Sequence, residues 1–412
     1  MNSAPRASRM NITLLGRRNV GKSSLINVLT GQRSALVSPV PGTTTDPVYK
    51  AMEIAPLGPV MLIDTAGIDD HGELGRLRSQ RSKRILKHTD LVLLVVDATV
   101  AFSDWEEEIV RLCRENDSPF LVVLNKGDLV ANQPAVLEQL PVEIRQKAVL
   151  VSATKGKGVD KLIQAIIDAS PKDWDNTPIV ADLVGFGETV IMVVPIDSAS
   201  PKNRLILPQV QTIRDVLDGE ACVLVCKPQY LARTLDKLNS KPKLVITDSQ
   251  AFSSVQAQVP ADVMLTSFSI LFARKKGDLG IFVQGAQAIG KLQPGDEVLV
   301  AETCTHNTTH EDIGRVKIPN LLHAAVGGEL KFQWARGMTY PHDLERYKLV
   351  IHCGGCMVNR REMLARMARA RELDIPIVNY GIALAFLQGI LPRVLSPFPE
   401  VLEAYKQGDE AQ

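Results

Sequence analysis

Cysteine and histidine gather in two short pieces of this chain that lie far apart, Cys304-Thr-His306 and His352-Cys353-Gly-Gly-Cys356. Three thiolates with two imidazoles beside them make a site for a soft metal ion or an iron–sulfur cluster. The paired cysteines put two sulfurs on one turn, and the glycines between them let the backbone curl around a bulky group. The third thiolate arrives from another element, so the fold must close the site. Zinc held by three cysteines and one histidine would be a closed tetrahedral staple. A cluster held by three cysteines would leave one iron open to His306, His352, a carboxylate or water. Spacing alone does not separate these two occupants.

A second constellation is built for phosphate. Gly16-Arg-Arg-Asn-Val-Gly21-Lys22-Ser23 is a complete phosphate-loop pattern between an expected strand and an expected helix. Its glycines allow backbone N–H groups to converge on phosphates, and the helix N-terminus adds its positive end. Gly16, Asn19, Val20, Gly21, Lys22, Ser23 and Ser24 are the candidate contacts; Lys22 would reach the β- and γ-phosphates and Ser23 would ligate Mg²⁺. Asp64-Thr-Ala-Gly67 follows an apolar run, with Asp64 behind the magnesium and the Gly67 N–H sensing the γ-phosphate. In Asn125-Lys126-Gly127-Asp128, the Asp128 carboxylate accepts from guanine N1–H and N2–H₂, which adenine lacks, so GTP is selected over ATP. Asn125 would tie this loop to the phosphate loop, the Lys126 stem would cover the base, and Ser152-Ala153 would offer the Ala153 N–H to guanine O6.

These residues need strands to carry them. Ile12–Leu15, Val60–Ile63, Leu91–Val96, Phe120–Leu124 and Ala148–Val151 are continuous apolar runs separated by amphipathic stretches, the mark of a mostly parallel sheet covered on both faces. The fold class expected is α/β: a nucleotide-binding domain over 11–170, a polar linker over 171–181, and two smaller mostly parallel-sheet domains over 182–260 and 261–412, after a tail over 1–10. The middle domain has strands at Thr189–Ile196, Ala221–Val225 and Leu244–Thr247. The last has them at Glu297–Ala301, Leu349–His352 and Ile377–Asn379. Cys304 and Cys353 thus follow strand ends, the edge at which open α/β sheets bind ligands. Cys113, Cys222 and Cys226 sit among apolar neighbours and are expected to be packed thiols.

Composition narrows the setting. Across 412 residues, 45% hydrophobic and 23% charged content is that of a globular protein with several domains. A formal charge of +1 argues against a nucleic-acid or membrane surface partner. No apolar run reaches transmembrane length and the first ten residues lack an apolar core, so a cytoplasmic protein is expected, where clustered cysteines favour metal chemistry over disulfides.

The nucleotide motifs make residues 11–170 resemble the translation-factor-like GTPases, most closely the tRNA-modification GTPase group. That resemblance extends to Pro41-Gly-Thr-Thr-Thr-Asp46 and implies that Thr44 ligates magnesium and the γ-phosphate. Asn19 stands where that group holds a potassium ion. Ile68 follows Gly67, so the glutamine that orients water in Ras-type proteins is absent, and K⁺ could neutralise charge developing between the phosphates. Coupled to this half, the Cys-x-His…His-Cys-x-x-Cys pattern resembles the maturation GTPases of FeFe-type hydrogenases. The resemblance implies a 4Fe–4S cluster on Cys304, Cys353 and Cys356, with His306 and His352 as ligands or supporting groups, and a middle domain for homodimerisation or higher assembly. It further implies a di-iron H-cluster precursor as cargo, and two radical-SAM maturases and apo-hydrogenase as partners. His310, Glu302, Glu311 and Asp312 are then candidates for the fourth iron position. The competing reading is a zinc-containing GTPase of tRNA modification or ribosome assembly. Hydrolysis of GTP is expected to be faster in K⁺ than in Na⁺, and equal initial rates in the two salts would remove the role given to Asn19.

Overall fold

The computed structural model describes residues 9–31, 48–65, 85–86, 88–171, 177–196, 205–303, 312–337, 340–341, 343–355 and 358–410. The chain divides into two compact units, Met1–Asn176 and Thr177–Gln412. Thr44, Gly67, Cys304, His306, His310, Glu311 and Cys356 lie outside the described residues.

The first unit holds β1 (Met10–Leu15), β2 (Val48–Ile54), β3 (Gly58–Asp64), β4 (Leu91–Asp97), β5 (Phe120–Asn125) and β6 (Ala148–Leu150) in the order β2-β3-β1-β4-β5-β6. Only β2 runs antiparallel to its neighbour; every other pairing is parallel. The central strands are apolar on both faces because both are covered: β4 is buried from Leu91 to Val96 and β5 throughout. Helix Lys22–Leu29 starts directly after the phosphate loop, and helix Val159–Ala169 packs Leu162 and Ile166 into the core beside Leu121 and Val123.

The second unit contains two four-stranded parallel sheets. One has β7 (Thr189–Val193), β8 (Cys222–Cys226), β9 (Leu244–Thr247) and β10 (Met264–Ser267) in the order β10-β9-β7-β8. The other has β11 (Glu297–Glu302), β12 (Lys331–Arg336), β13 (Leu349–His352) and β14 (Ile377–Asn379) in the order β12-β11-β13-β14. Both sheets draw on a single apolar core. The helix Phe268–Lys276 lies within it, packing on helix Leu207–Asp218 on one side and on helices Arg360–Glu372 and Tyr380–Leu387 on the other. Phe268, Ile270, Leu271, Phe272 and Ala273 are all buried, as a helix with packed neighbours on both sides requires.

Edge strands depart from the sequence reading. β2, β10 and β12 carry no long apolar run and were not expected as strands. Cys222, expected to pack, is exposed because β8 is the outer strand of its sheet; Cys113 is buried and Cys226 half-buried. No helix among the described residues is long and apolar enough to cross a membrane.

Helix Leu279–Gln287 approaches β14 so closely that a Cβ on Gly285 would lie 2.0 Å from the Ile377 carbonyl oxygen. Alanine improves helix propensity by about 1 kcal/mol over glycine, but the overpacking it forces costs roughly 1–3 kcal/mol. Gly285→Ala is therefore expected to lower stability by about 1 kcal/mol net in urea denaturation followed by circular dichroism. An unchanged midpoint would show that helix and strand separate freely.

Candidate functional site

The phosphate loop follows β1, which lies between β3 and β4. The chain leaves β1 towards β2 and β3 and later returns to its other flank with β4, making this a switch point of the topology, where such sheets leave a crevice. The turn needs glycine at its start, since a Cβ on Gly16 would stand 2.3 Å from the Val95 carbonyl oxygen. Asn19 adopts a left-handed conformation with φ 62°, which asparagine tolerates better than most residues. Buried Lys22 bends back over the loop, its Nζ donating to the Gly16 carbonyl at 2.7 Å and the Arg17 carbonyl at 2.8 Å. Ser23 Oγ donates to Asp64 Oδ2 at 2.6 Å, so hydroxyl and carboxylate stand side by side as a magnesium site with Asp64 behind Ser23 requires. Burial pushes the Asp64 carboxyl above its ordinary value, against the Ser23 hydrogen bond and the Lys22 charge. Ser24 is half-buried in the first turn of the helix, and Val20 is buried.

Asn125, at the end of β5, joins three segments. Its Nδ2 donates to the Val20 carbonyl at 2.8 Å, and its Oδ1 accepts from the Ala153 N–H at 3.0 Å. Ser152 Oγ donates to Asp128 Oδ1 at 2.6 Å, and this bond is the main cause holding the exposed Asp128 carboxyl below its usual range. Lys126 is paired with Asp97 at 2.6 Å. Two contacts here escaped the sequence reading. Asp97 was legible in principle, as a charge ending a fully buried strand at its carboxyl edge. Arg17 was not: its guanidinium pairs with Glu106 at 2.9 Å and lies over the Trp105 ring, far off in sequence.

The second site lies at the corresponding place in the third sheet. The chain passes from β11 out to β12 and then returns to the opposite flank of β11 with β13, so a switch point falls between β11 and β13. Their register pairs Ala301 with His352. Thr303, the residue before Cys304 in the chain, consequently meets Cys353: the Thr303 N–H donates to Cys353 Sγ at 3.2 Å, and Thr303 Oγ1 lies 3.3 Å from the same sulfur. Burial pushes the Cys353 thiol up, and the hydrogen bonds it receives from Thr303 pull it the other way.

His352 is fully buried and engaged at both ring nitrogens, Nδ1 with the Cys353 carbonyl at 2.7 Å and Nε2 with Arg366 Nη1 at 3.2 Å. A guanidinium only donates, so Nε2 accepts and Nδ1 carries the proton. Arg366 also pairs with Glu362 at 2.7 Å inside the core and stacks over Tyr340 at 5.0 Å. Glu302, at the end of β11, is buried among Arg315 at 3.7 Å, Arg336 at 3.6 Å and the Tyr380 hydroxyl, which donates to it at 3.4 Å. Asp312 Oδ1 accepts from the Arg315 N–H at 2.9 Å. Among the described residues, no three His, Cys, Asp or Glu side chains group closely enough to hold a metal ion; of the three expected thiolates only Cys353 is described.

Three family models match the chain in succession. A 50S ribosome-binding GTPase model covers residues 11–126, a hydrogen maturase F dimerization domain covers 179–277, and a hydrogen maturase F tetramerization domain covers 280–397. Among curated proteins, GTPase Der of Wolinella succinogenes is 34% identical over 171 residues, 39% of this chain and 36% of that protein. The tRNA modification GTPase MnmE of a Synechococcus strain is 39% identical over 158 residues, 38% of this chain and 32% of that protein. The chain spans about a third of the length of these relatives. A crystal structure of Era from Aquifex aeolicus bound to GDP·AlF4− shares 22% identity and covers 53% of this chain and 93% of its own, with a TM-score of 0.35.

Replacing Asn125 with alanine removes one donor and one acceptor from a buried junction. Each group left unpaired there costs about 1–3 kcal/mol. Asn125→Ala is expected to weaken GTP binding on the order of 100-fold while the folded circular dichroism spectrum is kept. A titration with fluorescent GTP that moves by less than a factor of about two would mean the loop holds without this tie.

Proposed function

The chain belongs to the hydrogen maturase F family, as a GTPase domain followed by that family's two association domains, and from this premise we propose an iron–sulfur scaffold that carries a di-iron H-cluster precursor to apo FeFe-type hydrogenase. The observation that carries the reading is the meeting of β11 and β13 at their carboxyl ends. It sets the residue before Cys304 against the sulfur of Cys353, which supports a site drawn from two strands.

Cys353, the described one of the three proposed ligands, supports a 4Fe–4S cluster. A buried thiol receiving hydrogen bonds at sulfur is a soft ligand in a low-dielectric setting, and such bonds belong to the supporting shell of cluster sites. When bound through Cys304, Cys353 and Cys356, the cluster would supply an iron with one exchangeable position. His352 then acts from behind Cys353 and not as a ligand, because both of its nitrogens are committed. Glu302, held by two arginines and Tyr380, stays one candidate for the fourth position.

In the first unit, Lys22, Ser23 and Asp64 bind GTP and Mg²⁺, and Asp128 selects guanine. Asn19 is assigned a stimulating K⁺. Hydrolysis serves as a switch of partner contacts through Thr44 and Gly67, supplying no carbon chemistry. Radical-SAM maturases and the apo-hydrogenase are the partners proposed. Self-association is assigned to the outer edge of β8, where Leu224 and Val225 are exposed and no further strand pairs among the described residues, an arrangement a second copy can complete.

The test is anaerobic purification followed by iron, sulfide and zinc analysis and EPR of the reduced protein. A reducible cluster is expected, lost in each of Cys304→Ser, Cys353→Ser and Cys356→Ser while GTP hydrolysis survives. Stoichiometric zinc without a reducible cluster would sink the scaffold reading in favour of the zinc-containing GTPase.

A further inference from the structure

Lys276 ends the shared helix Phe268–Lys276 and is 5% exposed. Its Nζ donates to the Gly355 carbonyl at 2.9 Å and to the Val358 carbonyl at 2.8 Å. In the sequence these two residues flank Cys356 and follow Cys353. The clamp is returned from the other side. Arg360, at the start of helix Arg360–Glu372, donates through Nη1 to the carbonyls of Lys275 at 2.7 Å and Gly277 at 3.0 Å, capping the end of the helix that carries Lys276. Gly355 itself is left-handed, with φ 64°, and a Cβ there would lie 2.5 Å from Met363 Cε, so the turn is held on its other side by packing.

An ammonium is costly to bury, and here its donors are directed at two backbone carbonyls, of Gly355 and Val358. A lysine serving solubility or general packing would leave its head in water. We infer that Lys276 is a positioning residue for the stretch that carries Cys353: it ties the Gly355 and Val358 carbonyls to the end of its helix and sets a positive charge beside them. This inference rests on the cluster reading above. Its charge would favour the reduced, more negative state of a cluster bound there, because potentials of such sites follow local charge and hydrogen bonding. The same lysine belongs to the helix that packs on the β7–β10 sheet, so the turn is anchored to the part of the unit matched by the dimerization model.

The experiment compares full-length wild type with Lys276→Met, which keeps the apolar stem and removes the ammonium, and with Lys276→Gln, which keeps a shorter donor. In the metal-free proteins, amide hydrogen exchange is followed in the peptide covering 353–360 and, as a fold control, in β9. Reconstituted anaerobically with ferrous iron and sulfide, the same proteins are assayed for iron release to a ferrous chelator and for midpoint potential. Lys276→Met is expected to exchange at least tenfold faster in the turn with β9 unchanged, to release iron at least tenfold faster, and to show a more negative potential; Lys276→Gln should fall between. Wild-type exchange and release rates in Lys276→Met would overturn the inference, as would general loss of protection in β9 in both variants, which would make the lysine a structural residue of the whole unit. Should wild type take up no reducible cluster, the cluster reading fails by itself, and the exchange comparison alone then upholds or overturns the clamp.

Discussion

A strand buried on both faces has no length to spare for polar chemistry. That constraint organises this molecule. β4, β5, β9 and β13 are apolar and covered from end to end or nearly so, and groups that bind or react must collect where the strands stop. Both candidate sites obey it in the same way, at a carboxyl edge where the chain reverses its direction of travel across the sheet. In the first unit the edge gathers Lys22, Asp64 and Asn125. In the second it gathers Glu302, Thr303, His352 and Cys353.

His352 is the place where this constraint is strained most, a fully buried imidazole at the end of a core strand. It is tolerated because Arg366 and the Cys353 carbonyl satisfy its nitrogens, and Arg366 is itself neutralised by Glu362. A buried ion pair of this kind adds little net stability, since desolvation offsets its attraction, whereas removing one member strands the other. What the network secures is orientation: one tautomer of His352, and with it one direction for the Cys353 carbonyl. The bonds at the phosphate loop follow a similar logic. Lys22 and Asn125 spend their donors on backbone carbonyls of the loop, fixing its path.

Much of this was legible in the sequence, for identifiable reasons. The phosphate loop, the guanine loop and the central strands announce themselves because their residues are close in sequence or form continuous apolar runs. β2, β10 and β12 were missed because edge strands are short or polar on one side, as the alternating exposure of Val48–Ile54 and Lys331–Arg336 shows. Cys222 was misread for the same cause, an apolar string that happens to sit on an outer strand. Thr303, Arg366 and Lys276 were invisible because their roles depend on register and helix packing. Thr303 lies 50 residues from Cys353, and Lys276 lies 79 from Gly355. No local pattern marks a threonine or a lysine for such a contact.

The single core beneath the second and third sheets has a consequence for how the protein can be divided, by protease or by evolution. Residues 177–412 share their apolar interior through the helix Phe268–Lys276, whose Lys276 reaches into the cysteine turn and whose end is capped by Arg360. A cut between the stretches matched as two separate domains would fall at 277–280, immediately after that helix, and would strip the cysteine-bearing sheet of one wall. The portable module is therefore the pair of sheets together. Sharing one interior, the two sheets are expected to melt together, so the end of β13 is only as stable as the sheet beside it.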